Sequence, residues 1–229
     1  MFRFFQALAG LALIVPAAAM AHPSKPVKPQ PAHGTAKAAL VPSEAATRLA
    51  KWVVASNDNH SLPWAVVDKT NASLFLFAPN GKALGAVPVL IGIAVGDDAS
   101  PGVGSKKLAD LGPAEKTTPA GRFLAKFGRP VEGHRVLWVD YATSVALHPI
   151  PTDASPKEHR RKRMLSPTPA DNRISFGCIN VPKAFYNSAL AKLFRKKGGY
   201  VYVLPDTKPL EQVFPLLRVQ DLMNGGAGQ

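Results

Sequence analysis

The chain has a single cysteine, Cys178, among 229 residues. An internal disulfide is therefore excluded, and so are metal centres built from paired cysteines. Acidic residues are scarce: 15 Asp and Glu stand against 28 Lys and Arg, a formal net charge of +13. That imbalance favours anionic partners such as nucleic acid, acidic lipid or acidic wall polymer. Yet no DNA-reading motif or aromatic-rich RNA-binding pattern accompanies it. The 6 histidines are scattered without ligand spacing, so neither a metal site nor a cofactor is expected. There is no internal repeat, and no stretch after the first twenty residues is long and apolar enough to span a bilayer.

The opening residues are informative. Arg3 lies before an apolar run from Ala7 to Ala19, interrupted by Pro16 and closed by "AMA" at residues 19–21. Charged, apolar and small residues in that order make a secretory signal peptide cut after Ala21 (residues 1–21), too short for a transmembrane segment. The chain is thus expected to be exported, to the periplasm or cell wall. That destination sets nucleic acid aside as a partner. Residues 22–42 are rich in Pro, Lys and Ala and have no apolar period, so they read as a linker that holds His22 and His33 in solvent.

Ser43 caps an expected helix over 44–56, within an N-terminal helix region 43–60. From there the pattern turns to β. "WAVVD" (64–68), "SLFLFA" (73–78) and "GAVPVLIGIAVG" (85–96) are short apolar runs separated by turn formers. "GRFLAKFG" (121–128), "RVLWVDYA" (135–142) and "SVALHP" (144–149) continue the series. A long loop is expected over 97–117. Residues 182–198 read as a helix opened by Pro182 and stopped by Gly198. "YVYVLPD" (200–206) is a last core strand, and 207–229 a tail with one short helix. The domain proper is placed at 61–206, with a mostly β fold and a few helices.

A lone thiol in an exported chain is an inert buried residue, an intermolecular link or a nucleophile. Gly177, before Cys178, permits positive φ and close backbone approach. Its amide and that of Cys178 can converge on an oxyanion. A nucleophilic thiol needs a base. His60 lies in a loop, His134 in a turn and His159 in a basic run. His148 instead ends an apolar strand, where it is either a positioned base or a structural strand-end residue.

Three elements in order, "TPAGRF" (118–123), "LHP" (147–149) and "SFGCIN" (175–180), resemble the catalytic domain of the L,D-transpeptidase, or YkuD-like, family. The resemblance covers residues 64–206. It implies a β-sandwich of mixed sheets and an acyltransferase that remodels the peptides of peptidoglycan. Its implied partners are stem peptides and carbapenem-type inhibitors. By resemblance Cys178 is the nucleophile and His148 its base, oriented by the carbonyl of Pro149. Ser175, Gly177 and Asn180 match supporting positions. Phe176 stands where the family has a histidine, so an imidazole N–H is missing there. The His148–Ser175 gap is also longer than the family's. Arg122 and Arg173 flank the motifs as candidates for a substrate carboxylate.

The alternatives are a wall-binding protein of the same fold without turnover, and a sortase, to which "TPAGRF" does not belong. A papain-like order is excluded because no histidine follows Cys178. The insert at 156–168 carries seven ionisable residues between Lys157 and Met164. It is expected to stay unburied, to border the cleft as a mobile lid and to touch anionic wall polymer.

Overall fold

The computed structural model describes residues 40–128 and 135–218. The expected signal peptide and nearly all of the linker, with His22, His33 and His134, lie outside the described residues. Ser43 does cap the first helix, α1 (Glu44–Ser56), its hydroxyl accepting from Ala46 N–H at 3.1 Å. Asn57 ends α1 in a left-handed conformation, as a short polar side chain tolerates. Leu49, Trp52 and Val53 fall on the buried face.

Ten strands follow: β1 (Trp64–Asp68), β2 (Ser73–Phe77), β3 (Ala83–Pro88), β4 (Ile91–Gly92), β5 (Gly121–Phe127), β6 (Leu137–Asp140), β7 (Val145–Pro149), β8 (Arg173–Ser175), β9 (Ile179–Val181) and β10 (Gly199–Val203). Eight of them form one mixed sheet in the order β3-β2-β1-β10-β5-β6-β7-β9, while β4 and β8 form a separate parallel pair. The β1–β10 and β7–β9 pairs are parallel, and the other neighbours are antiparallel.

The expected sandwich is corrected to this single curled sheet. Leu90, just beyond β3, exchanges both backbone hydrogen bonds with Asn180 of β9 at 2.9 Å. The two ends of the sheet are thereby drawn together at this point, while β2 is the one strand that pairs with β3 among the described residues.

Two apolar clusters occupy the faces of the sheet. Leu74, Leu76, Leu137, Leu147, Ile179 and Val201 pack beneath the helical stretch at 183–194. That stretch is α3 (Lys183–Phe185), a π turn (Tyr186–Leu190) and α4 (Ala191–Phe194), with the basic α2 (Arg160–Met164) earlier in the chain. On the other face, α1 meets Trp64, Tyr202, Phe214 and Leu217. Phe214 and Leu217 are buried, so the stretch expected to be tail contributes to this core after the short α5 (Leu210–Val213). Fully burying one such Leu or Phe contributes roughly 1.5–3 kcal/mol.

Candidate active site

Cys178 lies between β8 and β9, two three-residue strands the sequence did not announce. The loop is built tightly. Ser175 Oγ accepts from Gly177 N–H at 3.2 Å and donates to Cys178 O at 2.6 Å. Gly177 has φ +122°, and a Cβ there would sit 2.7 Å from Thr117 O. Glycine is thus required on both counts. Of the two expected oxyanion donors, the Gly177 amide is engaged by Ser175 at rest.

His148 ends β7. In the parallel ladder Leu147 faces Ile179 and His148 faces Asn180. Side chains alternate along strands. Leu147 and Ile179 therefore enter the core, while Asn180 and His148 share the opposite face with Cys178, two residues from Asn180. His148 Nδ1 bonds the Pro149 carbonyl at 2.7 Å, and Nε2 lies 3.3 Å from Asn180 Nδ2. Because a carbonyl only accepts, Nδ1 carries the proton and Nε2 presents its lone pair.

The thiol's own contact is different. Cys178 Sγ reaches Ser144 O at 3.8 Å. Cys178 is partly exposed. Even so, desolvation pushes the thiol pKa up, opposed by a backbone hydrogen bond from Ala146 and by the charge of Arg160. His148 is pushed down, by burial first, against the Pro149 hydrogen bond and aided by Arg160. A depressed imidazole beside a raised thiol favours the neutral pair at rest over a thiolate–imidazolium pair.

The insert departs from expectation at three residues. Arg160 has a side chain only 10% exposed, and its Nη1 donates to Asn180 Oδ1 at 2.8 Å. Met164 is buried, its carbonyl near Asn172 Nδ2, while Arg163 Nη2 donates to Arg173 O at 3.1 Å. Most of the segment is exposed, as expected, but Arg160, Arg163 and Met164 anchor it to the wall of the site. Beyond His148 it borders a cavity of about 520 Å³ lined by Ile150, Pro151, His159, Arg161, Lys162 and Leu165 among others.

Arg122 and Arg173, expected as carboxylate binders, each already hold a carboxylate of the protein. Arg122 pairs with Asp58 at 2.5 Å and stacks on Tyr200. Arg173 pairs with Asp206 at 2.7 Å. Phe176 projects outward, 36% exposed, with Lys116 Nζ 4.1 Å above its ring.

Three supporting residues escaped the sequence reading. Thr118 Oγ1 accepts from Gly92 N–H at 2.9 Å and donates to Gly177 O at 2.8 Å, tying β4 to the cysteine loop. Lys69, fully buried, reaches Asp97 at 3.0 Å, Asp206 at 3.2 Å and the Thr118 carbonyl at 2.9 Å. Asp97 takes the Lys69 bond and the amides of Asp206, Thr207 and Lys208. Burial raises its carboxyl pKa, but these bonds outweigh burial and hold it well below the usual carboxylate range. The signal for Thr118 was its place in "TPAGRF". Lys69 had none, since "DKTNA" reads as an ordinary turn.

Among the described residues no group of three His, Cys, Asp or Glu side chains is arranged to hold a metal, and no helix is long and apolar enough to cross a membrane.

No family model matches the chain, and no curated protein matches it. Solved structures do. The chain is similar to an L,D-transpeptidase from Xylanimonas cellulosilytica (14% identity, 62% of this chain and 60% of that one, TM-score 0.37). It is similar to an L,D-transpeptidase from Mycobacterium smegmatis (16% identity, 62% and 58%, TM-score 0.34). A third is a mutant of the helical cell shape determining protein Pgp2 from Campylobacter jejuni (15% identity, 77% and 62%, TM-score 0.42). The aligned part spans about six-tenths of the length of each of these structures.

Proposed function

We propose that the chain is an exported L,D-transpeptidase that acts on peptidoglycan stem peptides through a Cys178 thioester. The observation that carries this is the shared face of β7 and β9. Cys178 and His148 fall on that one face, and the His148 Nδ1–H is held by Pro149, which supports a reading in which Nε2 serves as the base. In the reaction, Nε2 turns from Asn180 to the thiol and takes its proton as sulfur attacks the carbonyl of the third stem residue. The S–C bond forms and the C–N bond to the terminal D-amino acid breaks, with His148 returning the proton to the leaving amine. An amine of a second stem, a protein lysine or water then attacks the thioester and releases Cys178. The Cys178 amide serves the oxyanion, since Phe176 has no side-chain donor to offer. The basic cavity beyond His148 suits the carboxylates of a stem peptide.

A carbapenem tests the nucleophile, because Cys178 is the only thiol. One covalent adduct is expected on the intact protein and none on Cys178→Ala. Defined muropeptides with product masses then separate stem, protein and water as acceptors. The second reading, a wall-binding protein without turnover, draws on the raised thiol pKa and the outward Phe176. It requires binding to cell-wall sacculi with no adduct after long exposure.

A further inference from the structure

The chain of contacts behind His148 has a direction. Arg160 Nε donates to Glu158 Oε2 at 2.6 Å and Nη1 to Asn180 Oδ1 at 2.8 Å. A guanidinium only donates, so the Asn180 carbonyl oxygen must face Arg160. The amide NH₂ must then face His148 Nε2, 3.3 Å away. An NH₂ only donates, so Nε2 must accept. At the other end the Pro149 carbonyl demands a proton on Nδ1. Both ends therefore select one tautomer. A proton on Nε2 would face the amide donor to donor. Turning the amide over would relieve that clash but put its NH₂ against the guanidinium.

We propose that Arg160 is a positioning residue of the Cys178–His148 site. Through Asn180 it holds the imidazole neutral with Nε2 as acceptor, and it sets a fixed positive charge near the thiol. It acts from the basic insert, a segment whose composition reads as solvated surface. The packing fits a fixed role. Asn180 is 1% exposed, and its backbone is pinned to Leu90. Arg163 and Met164, on the same short helix, are anchored to Arg173 and Asn172. The charge that acts on the pair is that of Arg160, whose guanidinium is itself paired with Glu158. Arg160 acts on both members of the pair, lowering His148 and Cys178 alike. In turnover, protonation of His148 requires the Asn180 contact to open, so this chain of bonds works against premature proton uptake by the base.

The inference rests on the thiol–imidazole pair proposed above, and one set of measurements separates the two. Iodoacetamide alkylation is followed against pH for the wild type, Arg160→Met, Arg160→Lys and His148→Ala, and the His148 imidazole is titrated by NMR. Arg160→Met should move the His148 titration to higher pH and the Cys178 profile to higher pH as well. At pH 7.5 alkylation should fall about threefold or more, as expected for loss of a nearby cation. Arg160→Lys, which keeps the charge, should recover most of the Cys178 profile. General loosening of the site would hydrate the thiol and move its profile the other way, to lower pH, and that result overturns the inference. So does an Arg160→Met protein with both titrations unchanged. If His148→Ala slows alkylation while Arg160→Met leaves it intact, only the role of Arg160 fails. If His148→Ala also leaves alkylation unchanged, the pair itself fails and takes the inference with it.

Discussion

Replacing Thr118 with valine tests whether one hydroxyl holds the cysteine loop to the sheet. Valine matches the shape of threonine and removes only the Oγ1. Two buried backbone groups then lose their partner together: Gly92 N–H, now bonded at 2.9 Å, and Gly177 O, bonded at 2.8 Å. Thr118 is 1% exposed, so water cannot readily replace the hydroxyl. Each unsatisfied buried group costs about 1–3 kcal/mol, so the pair costs about 2–6 kcal/mol. For a domain of this size each kcal/mol lowers Tm by about 2–4 °C, which places the drop at about 4–24 °C. Thermal unfolding followed by circular dichroism reads it directly. Thr118→Ser keeps the hydroxyl and loses one methyl, about 0.8 kcal/mol, so it should melt within about 3 °C of the wild type. Carbapenem acylation below the transition should slow in Thr118→Val, because the released Gly177 carbonyl no longer fixes the loop. A valine variant that melts within about 2 °C of the wild type, or a serine variant as unstable as the valine, would refute the reasoning.

Three further outcomes follow from the same geometry. Alkylation of Cys178 should still be climbing above about pH 8.5, where an ordinary thiol is half ionised; a plateau extending below about pH 6 would show a preformed thiolate–imidazolium pair instead. Gly177→Ala should lose about 1–3 kcal/mol to its positive φ and more to the clash with Thr117 O, so an alanine variant of normal stability would mean the loop has another conformation. Asp97→Asn should destabilise by about 3 kcal/mol at pH 7. The folded carboxyl lies below its unfolded value, so its contribution is present above about pH 4 and fades as pH falls further. The difference in urea midpoint between variant and wild type should therefore narrow in acid, and a gap that widened would reverse the sign assigned to Asp97.

Elements with a period were legible. The 3.6-residue spacing of Leu49, Trp52 and Val53, opened by Ser43, gives α1 with its observed ends. The runs at 64–68 and 73–78 give β1 and β2 because each is a short, mostly apolar stretch bounded by turn formers, buried almost throughout. What escaped was structure with neither a period nor such an apolar run. β8 and β9 are three residues each, too short for alternation to register, and they are strands only because β4 and β7 lie beside them. Lys69 is buried against carboxylates that arrive from residues 97 and 206, a convergence that no local pattern records. Arg160 sits among Arg161, Lys162 and Arg163 with nothing in the sequence to single it out. Only the fold turns it towards Asn180 while Arg161 and Lys162 remain exposed. The flanking positions of Arg122 and Arg173 made them look like ligands, yet each already had an acidic partner.

The parallel pairing of β7 with β9 has a topological consequence. Two parallel neighbours cannot be joined by a tight hairpin; the chain must travel from the end of one back to the start of the other, which takes a dozen residues or more. The distance between His148 and Cys178 is set by the ladder, and the length of the excursion is free. The stretch from residue 150 to 171, before Asn172 and β8, is thus a required detour whose content is open to change. It can be lengthened, shortened or exchanged for another of its kind while the two reacting groups stay in register, provided each version returns a donor to Asn180. On that view the curled sheet holds Cys178 and His148 in a constant register, and the detour is the interchangeable part beside them.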